Sequence, residues 1–77
     1  MEKSEIKEIR KKIGNLIEKS RINQNYSEDN ISNDVGINNK TLHKIEAGKF
    51  SPSSDLLFTI FNKLSIEVRI DNEIIKL

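Results

Sequence analysis

The sequence predicts a mainly helical domain of four to five helices, followed by a short C-terminal β-strand segment. Three observations carry this. Apolar residues recur at spacings of three and four from Ile6 to Leu64, the mark of helices with one buried side. Gly36 and Gly48 fall where that pattern breaks, as glycine does in the left-handed position after a helix. Beyond Leu64 the period drops to two, which is a strand signal. With 77 residues the chain has room for one core. Domains of this size bury only about 60% of the surface exposed by the unfolded chain. The helical part spans 1–64 and the strand segment 65–77.

The first helix is expected over residues 4–22. Ser4 is its expected N-cap, and Ile6, Ile9, Ile13, Leu16 and Ile17 form the apolar stripe that should face the core. Asn23-Gln24-Asn25 breaks the pattern. Ser27 then caps a short second helix whose first turn carries Glu28 and Asp29, where the helix dipole favours acid. Ile31 and Val35 lie on its inner side, Gly36 stops it, and Ile37 is a buried turn residue. Asn38 caps a third helix running to about Ala47, with Leu42 and Ile45 inward. After Pro52, Ser53 or Ser54 opens a fourth helix from Asp55 to Leu64. Its apolar positions wrap most of the way round, so it should be the central helix of the core. Ile66-Glu67-Val68-Arg69-Ile70 alternates as a strand, Asp71-Asn72 is a turn dipeptide, and Glu73 to Leu77 is a second short apolar run.

The net charge is +1, modest for a protein that neutralises phosphates. Its distribution is segregated: residues 1–22 sum to +3, 23–35 to −3, 36–52 to +2 and 53–77 to −1. The second positive block falls on the third helix. Two short helices joined by a tight glycine turn, between Ser27 and Ala47, are the recipe for a helix-turn-helix. Such a unit presents the outer face of its second helix to the DNA major groove. Asn39, Lys40, His43 and Lys44 form that face, opposite Leu42 and Ile45. Asparagine can bond adenine and lysine can reach guanine acceptors, and both also serve phosphates.

Ile13-Gly14, Ile31, Val35-Gly36-Ile37, Leu42, Ile45-Glu46-Ala47-Gly48-Lys49 and Pro52-Ser53 form a further pattern along the chain. Through these residues the chain from Ile13 to Val68 resembles the phage-repressor (xenobiotic-response-element) family of helix-turn-helix regulators. The resemblance implies a lambda-repressor-like fold and sequence-specific binding to double-stranded DNA at a pseudo-palindromic operator. Asn39, Lys40, His43 and Lys44 would read bases, while Ser27, Asn38, Thr41 and Lys49 would hold phosphates. It also implies that Arg21 and Glu46 form an ion pair bracing the first helix against the third. The sequence departs from the family at Glu28, where many members have a glutamine touching the backbone and the outermost base pair; a carboxylate there repels phosphate. Ser32 stands in place of an alanine and Ser65 in place of a glycine, and residues 1–12 extend beyond the family's usual start.

Leu57 to Leu64 running into Ile66–Ile70 is similar to the end of HipB-type antitoxins, whose chain adds a strand that pairs across a dimer. The expectation is therefore a transcriptional repressor acting as a homodimer, with Ile66, Val68 and Ile70 at the dimer contact and a toxin protein as a further partner. A local hairpin through Asp71-Asn72 is the alternative use of the same residues. The rival function is a protein-interaction module that keeps the fold and mainly holds a partner.

An enzyme is not expected. The one histidine, His43, sits on an exposed helix face, and nothing places a nucleophile beside a base. Scattered carboxylates give no metal-ligand spacing, no glycine-rich phosphate loop is present, and no cofactor is implied. The chain has no cysteine, and no apolar run approaches the roughly 20 residues of a membrane span. Met1 to Glu5 is charged without an apolar stretch behind it, so a cytoplasmic protein without a secretory signal is expected.

Overall fold

A computed structural model describes all 77 residues. Four helices are followed by two strands: α1 Lys3–Asn23, α2 Glu28–Val35, α3 Asn39–Glu46, α4 Ser54–Lys63, β1 Val68–Ile70 and β2 Glu73–Ile75. The chain is thus mainly helical with a two-stranded antiparallel hairpin at its C-terminus.

Short polar side chains start three of the helices. Ser27 Oγ accepts the Asn30 N–H at 3.0 Å, Asn38 Oδ1 accepts the Thr41 N–H at 2.8 Å, and Ser53 Oγ accepts the Leu56 N–H at 3.1 Å. Each satisfies one of the donors that a helix N-terminus leaves unpaired. α1 begins earlier than expected. Its N-cap is Glu2 rather than Ser4, because Glu5 Oε1 accepts the Glu2 backbone N–H at 2.9 Å and ties down a turn upstream. α2 closes on Gly36, which sits at φ +80; that left-handed geometry is free of cost only without a Cβ.

The core is built from Ile17 of α1, Ile31 of α2, Leu42 and Ile45 of α3, Ile60 of α4, and Leu64 just past α4. Ile13, Tyr26, Val35, Ile37, Leu56, Leu57, Phe61 and Ile66 pack around it half-buried. α3 packs against α1 and α2, and α2 also packs against α4. The place of α3 between its neighbours corrects the expectation that α4 is central. Of the α4 residues only Ile60 is buried, and Phe58 is exposed, because a helix packed on one side leaves the rest of its apolar surface in water.

The stripe expected on α1 also divides. Ile17 is buried and Ile13 half-buried, but Ile6, Ile9 and Leu16 are exposed. At about 1.5 Å per residue the 21 residues of α1 nearly match the molecule's longest extent of 34 Å. The other helices are 8 to 10 residues long and cover only part of that length. Leu16, next to Ile17, points about 100° away from the core contact.

Two contacts, one polar and one steric, seat α1 against its neighbours. Gln24 Nε2 donates to the Leu64 carbonyl at 2.7 Å, joining the C-terminus of α1 to that of α4. Gly14 lies under the last turn of α3: a Cβ there would collide with the Ile45 and Glu46 carbonyl oxygens. After α4, Ser65 takes a left-handed φ of +54. The Ser65 N–H donates to Asn62 O at 3.2 Å and the Ile66 N–H to Phe61 O at 2.8 Å. Leu64 to Glu67 thus carry the chain from helix to strand, with the first turn of that connection fixed by these two hydrogen bonds.

The C-terminal segment folds on itself, which is the local arrangement held as the alternative. Val68 pairs with Ile75, Arg69 with Ile74 and Ile70 with Glu73. Asp71 opens the turn at φ +52, a geometry that aspartate tolerates better than most residues. Of the three residues expected at a dimer contact, Ile66 and Val68 are half-buried and Ile70 is exposed. With two strands in the sheet, each keeps one backbone edge free. No helix is long and apolar enough to cross a membrane.

Candidate nucleic-acid interface

α3 carries the candidate site on the side away from Leu42 and Ile45. Both of those are buried, which turns Asn39, Lys40, His43 and Lys44 outward, and all four are exposed. Together with Glu28 at the start of α2 they line an open cleft of about 310 Å³ with no apolar residue in its wall. The turn at Gly36 places the first residues of the two helices side by side, so α2 contributes its acids to the rim of a site otherwise made of amides, lysines and a histidine.

Those acids act on the outward residues. Asp29 Oδ1 accepts a hydrogen bond from Asn39 Nδ2 at 2.7 Å. A carboxylate has no hydrogen to give, so this contact fixes which end of the Asn39 amide faces Asp29 and leaves its carbonyl oxygen aimed elsewhere. Glu28 Oε2 lies 3.5 Å from His43 Nδ1, an ion pair only when the imidazole is protonated. Sequence reasoning found Glu28 but missed the role of Asp29. The only sequence signal is that acid and amide, ten residues apart, flank the turn that brings them together.

The expected phosphate-holding residues divide differently from the expectation. Ser27 both accepts the Asn30 N–H and donates its hydroxyl to Asn30 Oδ1 at 2.8 Å, and Thr41 donates its hydroxyl to Asn38 Oδ1 at 3.0 Å. Ser27 and Thr41 thus hold helix starts and turn no hydroxyl hydrogen outward. Asn38 caps through its oxygen and keeps its side-chain NH₂ for another partner. Lys49 is exposed just past α3, away from the cleft at Glu28.

Behind the site, Arg21 and Glu46 are paired. Arg21 Nε donates to Glu46 Oε2 at 2.8 Å and Nη2 to Oε1 at 3.0 Å, while Nη1 reaches the Tyr26 carbonyl at 2.9 Å. Both side chains are at most 9% exposed. The hydrogen bond to Glu46 drives the guanidinium pKa up, burial opposes it, and the Glu46 charge adds to the rise. One arginine thus joins α1, the loop before α2 and the last turn of α3. Two parallel bonds to a planar fork fix α3's orientation as well as its distance.

No cluster of three or more histidine, cysteine or carboxylate side chains is placed to hold a metal ion. What the arrangement offers is a rigidly seated helix face of hydrogen-bonding and cationic groups, open to a large ligand. No protein-family model matches the chain, and no curated protein sequence is significantly similar to it.

Proposed function

We propose that the protein is a helix-turn-helix regulator that binds double-stranded DNA sequence-specifically and acts as a homodimer, most simply as a repressor. The observation that carries this reading is the outward face of α3: Asn39, Lys40, His43 and Lys44 share one open cleft. Donors and acceptors at successive turns of a helix suit base edges in the major groove, which is wide enough to admit an α-helix. The resemblance between Ile13 and Val68 to phage-repressor regulators points the same way, and the likeness of the C-terminal segment to HipB-type antitoxins adds a toxin protein as a second partner. Lys49, and the free amide of Asn38, would meet phosphates.

A second reading is favoured by specific observations. Glu28 projects into the cleft, and Ile6, Ile9 and Leu16 stand exposed on α1. Both suit a module whose main task is to hold a protein partner. The test that separates the two measures binding to the sequence upstream of the protein's own gene and to a scrambled duplex, at two salt concentrations. Preference for the upstream duplex, with affinity falling steeply as salt rises, is the expected result. Equal weak binding to both overturns it in favour of the partner-holding module.

A further inference from the structure

The N-terminal half of α1 lies outside the face described above, yet it carries charge with a defined geometry. Lys7, Arg10 and Lys11 are spaced to form one strip along the helix. With Ala47, Gly48 and Lys49 they line an open cleft of about 420 Å³ where the end of α3 meets α1. No carboxylate lines that cleft; Glu8 reaches Lys11 at 3.7 Å, with both side chains largely in solvent. At Gly48 the walls touch: a Cβ there would lie 2.7 Å from Lys11 Cα. Backbone packed on backbone holds Lys49 against the strip instead of leaving it on a free loop. Arg10 is half-buried, with its Nε desolvated and unpaired, and it also borders a neighbouring cleft beside Ile13 and Phe50.

The cleft is tied to α3 through the backbone, where the Lys49 N–H donates to the Lys44 carbonyl at 2.8 Å. Four cations gathered with only the long, solvent-exposed Glu8 contact to offset them repel one another, and an anion shared between them relieves that repulsion.

We infer that this cleft is a second phosphate-holding site, which grips the backbone of the same duplex beyond the bases facing α3. The inference rests on the DNA-binding reading and extends its footprint to the part of α1 that lies outside the resemblance. Its chemistry, a phosphate oxygen among lysine and arginine donors, is shared with free phosphate, and the test separates the two.

The experiment measures affinity for a labelled random-sequence duplex across a salt series, using the full chain and three double variants. Lys7→Gln with Lys11→Gln removes the strip's exposed charges and should lower the slope of log affinity against log salt by about 2, at roughly 0.9 for each phosphate no longer neutralised. Lys12→Gln with Lys19→Gln removes equal charge from α1 outside this cleft and should leave the slope close to that of the wild type. Lys40→Gln with Lys44→Gln reports on α3. If the wild-type chain shows no salt-dependent binding, the DNA-binding reading itself fails. If the α3 variant loses slope and the Lys7/Lys11 variant does not, the cleft alone is overturned. Equal reductions in the Lys7/Lys11 and Lys12/Lys19 variants also overturn it, since only net charge would then matter. Inorganic phosphate moving the Gly48 and Lys49 amide resonances as strongly as the duplex does would overturn backbone binding in favour of a small-anion site.

Discussion

Ser65 holds a φ of +54 with a Cβ that crowds this region of backbone space. A non-glycine residue there costs on the order of 1 kcal/mol or more, and glycine removes that cost while adding back some freedom to the unfolded chain. Ser65→Gly should therefore stabilise the fold by up to about 1 kcal/mol, seen as a higher denaturant midpoint with an unchanged slope. The resemblance marked this position by its missing glycine, but it gave no backbone angle. Arg21 and Glu46 make the opposite case. Glu46→Gln leaves a buried guanidinium without its counter-charge, and breaking such a pair from one side costs about 3–5 kcal/mol. Adding Arg21→Met to Glu46→Leu should recover most of that stability in equilibrium unfolding. A double variant as unstable as the single one would mean that shape, not charge, is what the pair provides. Their partnership was readable only through the resemblance, since a separation of 25 residues obeys no local spacing rule.

Elements were legible where the chemistry is local. The caps at Ser27, Asn38 and Ser53 and the stop at Gly36 act within four residues, so sequence order nearly equals spatial order. The α1 stripe shows where this ends: periodicity says which side of a helix is apolar, and only the length of the neighbouring helices says how much of it is covered. The α3 face was legible because Leu42 and Ile45 point it outward, whereas the Lys7–Arg10–Lys11 cleft depends on where the end of α3 lands on α1. A contact between elements also yields a pH prediction. Lys63 Nζ of α4 lies 2.8 Å from Asp34 Oδ2 of α2 and 5.3 Å from the centre of the Tyr26 ring. The hydrogen bond that Lys63 donates to Asp34, and then the charge of Asp34, raise the lysine pKa above its ordinary 10.5. A raised pKa means that the stabilisation is fully present below the unfolded-state value and disappears as pH climbs through the folded one. Thermal melts of the wild type and Asp34→Asn should differ by a constant gap from neutrality to about pH 10, and the gap should close above it. A gap that persists once the lysine has titrated assigns Asp34 a different role.

At the scale of the whole molecule, eleven large apolar side chains are exposed and six apolar residues form the buried core. Ile70, Ile74, Ile75 and Leu77 of the C-terminal segment are among the exposed ones, and isolated two-stranded hairpins are marginal in water. A second copy pairing along a free strand edge would cover both deficits. Truncation after Glu67 keeps Ile66 on the core and removes the hairpin; it should sediment as a folded monomer, against the dimer expected of the full chain. A truncated chain that still dimerises would move the contact to the exposed side of α1. The joint at Ser65 then acquires a meaning for the assembled pair. Because α4 passes into the hairpin through a four-residue connection that is hydrogen-bonded at Ser65 and Ile66, two copies joined there would hold their α3 faces at a set separation and angle. On the proposed DNA-binding reading, a stiff pair of this kind would leave the adjustment to the DNA. The twist and bendability of the base pairs between the half-sites, which no side chain touches, would then be part of what the protein selects.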